Sequence, residues 1–269
     1  MQTLIVIPAR FASTRFPGKP LHQIAGASLL ARVVDIAKRV CAADSAVRYV
    51  VATDHEAIKA HAEEIGAPVV MTDPDLPSGS DRALAAANAF APDADFILNL
   101  QGDAPFTPPD HALSVIAAAS TTECDVVTPV VQMSWGALDV MREQKTTNPF
   151  SGTSCIRRED GEALWFSKKE IPAMRKEDKL RAASDLSPIW RHIGLYGYKR
   201  TALERFTSLP EGHYESLEGL EQLRFLENGM RIMTVAVTTS DAAMWGVDTP
   251  EDAQHAEKLI AAHGDPLLK

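Results

Sequence analysis

Residues 3–21 read TLIVIPARFASTRFPGKPL. The run from Thr3 to Ile7 is short, apolar and β-branched, which predicts a strand. Directly after it come three permanent cations, Arg10, Arg15 and Lys19, within ten residues. The chain as a whole is acidic, with a formal net charge of −9 over 269 residues. Any anion it binds must therefore be held by a local basic cluster, and this loop is such a cluster.

Downstream the pattern alternates. SLLARVVDIAKRV (28–40) has apolar residues at helical spacing, RYVVAT (48–53) reads as a strand, and HEAIKAHAEEIG (55–66) as a helix ending at Gly66. APVVM (67–71) is another strand, residues 80–90 are alanine-rich and helical, and DFILNLQ (95–101) is a nearly continuous apolar strand of the kind covered on both faces. This β-α-β-α-β order predicts a doubly wound α/β fold with a largely parallel sheet core. Such sheets bind ligands at the carboxyl ends of their strands, so the tips PARFASTR, TDH and QGDAP are expected to converge on one cleft.

From about residue 132 the alternation weakens, and MSWGALDVMREQKTTNPFSGTSCIRREDGEALWFSKKEIP suggests shorter strands and turns. Residues 173–187 (AMRKEDKLRAASDLS) are charge-rich and read as a solvated loop or surface helix, with a mobile lid as the alternative. WRHIGLYGYK (190–199) reads as a strand, LEGLEQLRFLENG (217–229) lies in two helical segments, and MRIMTVAV (230–237) is a strand. TPEDAQHAEKLIAAHG (249–264) is a helix that Thr249 can cap. With no repeats and no long linker, residues 1–269 read as a single domain.

Hydrophobic residues make up 45% and charged residues 23%, as in an ordinary globular protein. The acidic balance disfavours nucleic acid and anionic membrane as partners. Cys41, Cys124 and Cys155 lack CxxC or Cys/His spacing, which points to small buried apolar residues in a reducing compartment. The start MQTLIVIPAR has no cationic leader pattern and no run reaches membrane-spanning length, so the expected location is cytoplasmic.

The basic loop has one glycine, Gly18, and is neither a GxxxxGK[ST] loop nor a GxGxxG fingerprint. Backbone N–H groups between a strand and a helix, helped by three cations, can still hold a triphosphate. The two arginines offer bidentate forks and Lys19 a compact point charge. The alternative is a basic loop paired with surface acids.

IPARFASTRFPGKPL, ATDHE, SGSDR, QGD, RHIGLYGY, LEQLR and GVDTPED occur in this order between residues 4 and about 260. Together they resemble the CMP-Kdo synthetases, the 3-deoxy-manno-octulosonate cytidylyltransferases. The resemblance implies a Rossmann-like nucleotidyltransferase fold, with a mixed, mostly parallel sheet flanked by helices. It also implies a small dimerisation and acceptor subdomain, within approximately residues 132–200, and a homodimer. The implied activity is transfer of CMP from CTP to the anomeric hydroxyl of a Kdo-type sugar acid, with release of pyrophosphate, for lipopolysaccharide or surface polysaccharide synthesis.

By the same resemblance, Pro8, Ala9, Arg10, Ser13, Arg15, Lys19, Ser78, Gly79, Ser80 and Gln101 hold CTP, and Asp103 and Asp248 clamp Mg²⁺. Arg10, Arg15, Lys19, Asp103 and Asp248 form the catalytic set, while Gln101, Lys168, His192, Tyr196, Glu221 and Gln222 hold the sugar acid. On sequence alone Ser78 reads equally as a helix cap, Asp248 as an ordinary residue before a helix, and His192 as a structural histidine.

Three segments depart from the family pattern. The common QGDEP is QGDAP here, placing Ala104 beside the metal position; NPFSGTSCIRR replaces NPNxVKVV; and residues 173–187 are unfamiliar. Lys168 also stands where arginine is usual, losing the planar fork. The phosphate and metal motifs are kept while the acceptor side drifts. The same substrate, an altered acceptor such as an amino-substituted Kdo analogue or a nonulosonate, and a non-catalytic nucleotide-binding homologue all remain open.

Overall fold

β1 (Thr3–Ala9) lies between two parallel neighbours, β4 (Val47–Thr53) and β6 (Phe96–Leu100). The computed structural model describes residues 1–12, 15–238 and 246–268. The three strands are buried on both faces by strict alternation. Ile5, Ile7, Val51 and Leu98 face one helical layer, whereas Leu4, Val6, Val50 and Ile97 face the other. The first layer contains α1 (Leu29–Ala43), α2 (Glu56–Glu64) and α4 (Pro109–Thr121). The second contains α3 (Gly79–Phe90), α7 (Arg200–Ser208) and α9 (Gln222–Glu227). Covering both faces is why these strands lack polar residues at alternate positions.

The remaining elements are β2 (Gln23–Ile24), β3 (Ala27–Ser28), β5 (Val69–Met71), β7 (Val126–Ser134), α5 (Trp135–Thr147), β8 (Ser154–Arg157), β9 (Ala163–Ser167), α6 (Glu177–Ala183), β10 (Leu186–His192), β11 (Leu195–Lys199), α8 (His213–Glu218), β12 (Ile232–Ala236) and α10 (Pro250–His263). Among the described residues ten strands form one sheet, ordered β5-β4-β1-β6-β11-β7-β10-β8-β9, with β12 also paired to β7. The β5-β4-β1-β6 half is wholly parallel, as the alternation predicts, and β12 joins β7 in parallel. Antiparallel pairs complete this mixed, helix-flanked sheet.

The segment WRHIGLYGYK proves to be two strands. β10 and β11 both run antiparallel along β7, and the register shifts between them. The break falls at Ile193–Gly194, where Leu195 N–H donates to Ile193 O at 2.7 Å. β10 then pairs outward with β8, and β11 with β6.

The stretch after residue 132 also differs from the expected short strands and turns, because α5 is a helix of 13 residues. Ser134 caps it by accepting from Ala137 N–H, and it buries Trp135, Leu138 and Met141. That stripe is narrow, and Gly136 and the polar end of the helix obscure it in the sequence. With Met133 and Ile189 these residues form a satellite core, onto which Met174 and Leu180 pack. Residues 177–183 form the surface helix α6, fastened by Arg142 to Glu170 and Glu177 and by Arg181 to Asp139 and Glu177. Of the cysteines, Cys124 and Cys155 are buried and Cys41 is half-buried, all as free thiols.

Candidate active site

The loop after β1 is closed on itself and braced from behind. Gly18 adopts φ 70°, a left-handed conformation suited to glycine, and its N–H donates to Phe11 O at 3.0 Å. The Phe11 ring stacks on His55 with centroids 3.9 Å apart, and Phe11 N–H donates to Asp54 Oδ1 at 3.4 Å. Asp54 is in turn paired with the fully buried Arg82 at 3.0 Å. The TDH tip therefore buttresses the basic loop and does not itself line the cavity in front of it.

That cavity holds about 250 Å³ and is lined by Pro8, Ala9, Arg10, Lys19, Gly79, Gln101 and Asp103, among others. Gly102 brings the β6 tip against β1, since a Cβ there would stand 2.3 Å from Pro8 O. Val247 N–H donates to Asp103 O at 2.8 Å, bringing the segment before α10 beside the same tip. Asp248 is set by the cap of α10, where its N–H and that of Thr249 both donate to Asp252, and Thr249 Oγ1 accepts from Asp252 N–H.

Asp103 and Asp248 thus converge on a single cation. Lys19 Nζ donates to Asp103 Oδ2 at 2.9 Å and to Asp248 Oδ1 at 3.1 Å. Burial disfavours the charge on Lys19, yet the two carboxylates outweigh it and raise its pKa above the ordinary lysine value. Arg15 adds a longer, exposed pair with Asp248 at 3.3 Å, and Arg10 donates to Leu76 O at 3.1 Å. Among the described residues no group of three or more His, Cys, Asp or Glu could enclose a metal. Two carboxylates meeting at a point already suited to a cation do match Mg²⁺, which takes a few protein oxygens and completes its shell with water and phosphate.

A second cavity, of about 360 Å³, adjoins the first through Gly79 and Gln101, which line both. Gln101, Lys168, His192, Tyr196, Glu221 and Gln222 all line it. Burial pushes the pKa of Lys168 down, opposed by Glu218, and its ammonium makes no ion pair among the described residues. His192 is pushed down to about 3 by burial and by neighbouring Lys168, so its ring is neutral. Burial raises the pKa of Glu221, whose Oε2 accepts from Ser80 Oγ at 2.7 Å. Gln222 Nε2 and Asn99 Oδ1 are buried without a hydrogen-bond partner among the described residues. Such unpaired polar atoms on a cavity wall suit a ligand rich in donors and acceptors.

Of the other residues expected at the nucleotide, Ser78 caps α3 by accepting from Ser80 and Asp81 N–H, and Ser80 lines the larger cavity. Ser13 lies outside the described residues. The sequence reading misses Asn99, Thr153, Arg191 and Tyr198 on the larger cavity. Asn99 could have been flagged, since it is the lone polar residue inside the apolar strand FILNL. Arg191 could have been noted from its place beside His192.

Comparison with known proteins places the chain in a family. A profile of the cytidylyltransferase family matches residues 4–232. A 3-deoxy-manno-octulosonate cytidylyltransferase of Maricaulis maris is 42% identical, across 98% of this chain and 99% of its own length. One from Chelativorans sp. is 39% identical, across 97% and 98%. A solved CMP:2-keto-3-deoxy-manno-octonic acid synthetase complexed with CTP superposes with a TM-score of 0.84 at 30% identity, covering 97% of this chain and 99% of that one. A 4-diphosphocytidyl-2C-methyl-D-erythritol synthase from Anaerococcus prevotii shares the fold, with a TM-score of 0.60 at 12% identity, covering 96% of this chain and 98% of that one.

Proposed function

Since the chain belongs to the cytidylyltransferase family, we propose that it transfers CMP from CTP to the anomeric hydroxyl of 3-deoxy-manno-octulosonate. The observation that carries this reading is the pair of adjoining cavities. One is basic, with Arg10 and Lys19 at its wall; the other is polar, with Lys168, His192, Tyr196, Glu221 and Gln222. They share Gly79 and Gln101, so a nucleotide in the first can present its α-phosphate to a sugar acid in the second.

In this reading the acceptor oxygen attacks the α-phosphorus in line. The new P–O bond forms as the bond to the β-phosphate breaks, pyrophosphate leaves with the electron pair, and the hydroxyl proton passes to solvent. Arg10, Arg15 and Lys19 draw the triphosphate in and offset charge on the leaving group. Lys168 offers a cation to the sugar-acid carboxylate. Asp103 and Asp248 are the residues to hold Mg²⁺, which when bound supplies positive charge at the phosphate and acidifies the acceptor hydroxyl. Holding both partners across a shared wall contributes by orientation.

The product would serve lipopolysaccharide or surface polysaccharide synthesis in the cytoplasm. No helix of the described residues is long and apolar enough to cross a membrane. Residues 132–200 form the dimerisation and acceptor subdomain in this proposal. Its support is the separate core around Trp135 and the exposed Val140, Phe150 and Leu186. Lys168, a point charge without the planar fork of an arginine, lines the acceptor cavity and leaves an amino-substituted or longer sugar acid as the second reading.

The test is Mg²⁺-dependent pyrophosphate release from CTP across Kdo, an amino-substituted Kdo and a nonulosonate. Kdo is expected to give the highest kcat/KM. Preference for another acid selects the second reading, and no turnover with any acid overturns the enzymatic one.

A further inference from the structure

The two ring nitrogens of His192 are in different circumstances. Nε2 lies 2.8 Å from Thr128 Oγ1, a hydroxyl on β7 in a completely buried residue. Nδ1 makes no hydrogen bond among the described residues, and the ring lines the larger cavity. Thr128 Oγ1 has two further neighbours, Leu195 O at 2.8 Å and Ile193 O at 3.4 Å. The break between β10 and β11 turns these carbonyls toward the threonine.

A hydroxyl has one proton to give, and a carbonyl has none. If that proton pointed at Nε2, Thr128 Oγ1 and Leu195 O would face each other at 2.8 Å with no hydrogen between them, inside the protein. Leaving buried acceptors opposed in this way is costly. The proton therefore goes to Leu195 O, and Oγ1 accepts from Nε2–H of the histidine.

We infer that Thr128 is a positioning residue, fixing His192 as the Nε2–H tautomer so that Nδ1 offers a permanent acceptor to a hydroxyl of the sugar acid. This rests on the reading of the larger cavity as the acceptor site. Burial keeps the ring neutral, so the Nδ1 lone pair survives at working pH. The ring plane is held by the edge-on Phe166, with centroids 5.2 Å apart, and by Tyr196 at 5.1 Å. A bare ring nitrogen accepts from a hydroxyl or an amine but repels a carboxylate. The carboxylate of the acid is thereby turned toward Lys168 and its hydroxyl face toward His192. Thr128 thus sets which way round the acceptor lies.

The experiment is ¹⁵N NMR of histidine-labelled protein, free and with Kdo. The expected spectrum has a protonated, pyrrole-like Nε2 and a pyridine-like Nδ1, and Kdo shifts Nδ1 while Nε2 stays put. In Thr128→Val, mixed tautomers are expected with an about tenfold rise in KM for the sugar acid, the size of one lost hydrogen bond, and little change in KM for CTP. Thr128→Ser should restore both. An Nδ1–H tautomer in the wild type overturns the proposal, as does a valine variant that keeps both the tautomer and the KM. If Kdo neither binds nor reacts, the hydroxyl contact falls with the acceptor reading, while the tautomer is still decided by the spectrum of the free protein.

Discussion

Lys19 Nζ stands 2.9 Å from Asp103 Oδ2, across 84 residues of chain, and so ties the loop after the first strand to the loop after the sixth. The same ammonium reaches Asp248, 229 residues away. One cation thus gathers both carboxylates at the mouth of the smaller cavity. Lys19→Met leaves them facing each other without a counter-charge. KM for CTP is expected to rise at least tenfold, by analogy with other charge-assisted contacts to phosphate, and Lys19→Arg should recover part of it. The stability cost should be modest, about 1 kcal/mol, because the carboxylates are 36% and 45% exposed. The sign of its pH dependence follows from the raised lysine pKa. The stabilisation is complete below 10.5 and is lost only as pH rises through the still higher folded value. Denaturant melts of wild type and Lys19→Met should therefore differ by a constant amount at neutral pH and converge in strong alkali.

Gly102→Ala tests how closely the two strand tips approach. The added methyl would lie 2.3 Å from Pro8 O, a backbone atom that cannot rotate aside. A loss of roughly 1–3 kcal/mol is expected, in the range of other overpacked sites. Because the displaced segment carries Asp103, KM for CTP should suffer more than KM for the sugar acid. Wild-type stability in urea would contradict this packing.

At Glu221 binding and stability should pull in opposite directions. Burial raises its pKa above 4.5, so the folded state holds the proton more tightly than the unfolded one. The associated stability is present below 4.5 and is lost as pH rises through the folded pKa. As pH rises the ionised side chain thus becomes a cost, which contact with the sugar acid offsets in the proposed function. Glu221→Gln can still accept from Ser80, and it should melt higher than wild type at neutral pH with no advantage in acid. Its KM for the sugar acid should rise. Parallel thermal melts and acceptor titrations would show whether the two effects separate.

Asp248→Asn keeps the shape of the side chain and removes its charge. If Asp248 and Asp103 hold Mg²⁺, the variant should lose about a hundredfold in kcat. Calorimetry should show weaker Mg²⁺ binding to the enzyme–CTP complex. Near-normal activity and metal affinity would remove Asp248 from that role.

Much of this was legible in the chain. The alternation from Thr3 to Gln101 specified parallel strands covered on both faces, because a strand without polar alternation must be buried twice. Thr249 was legible as a cap from the Pro250, Glu251 and Asp252 that follow it, and the structure shows that capping box. The helix α5 was not legible, since its buried stripe is only Trp135, Leu138 and Met141 and its burial depends on Ile189 from a later strand. The break in WRHIGLYGYK was hidden for a similar reason. It reflects the partners on either side, with β8 taking the first half and β6 the second.

Local order, then, was written in the residues: a basic loop after an apolar strand, acidic tips after others, and a cap before the last helix. Which charges meet was settled by closure of the sheet. Lys19 could have faced solvent or phosphate, and only the approach of Gly102 to Pro8 and the bond from Val247 to Asp103 put two distant aspartates within its reach. Likewise no spacing rule connects Thr128 to His192. They meet because the end of β10 sets His192 opposite Val130, the next residue but one along β7 from Thr128, and a hydrogen bond of 2.8 Å depends on that pairing rather than on either residue's neighbours in the chain.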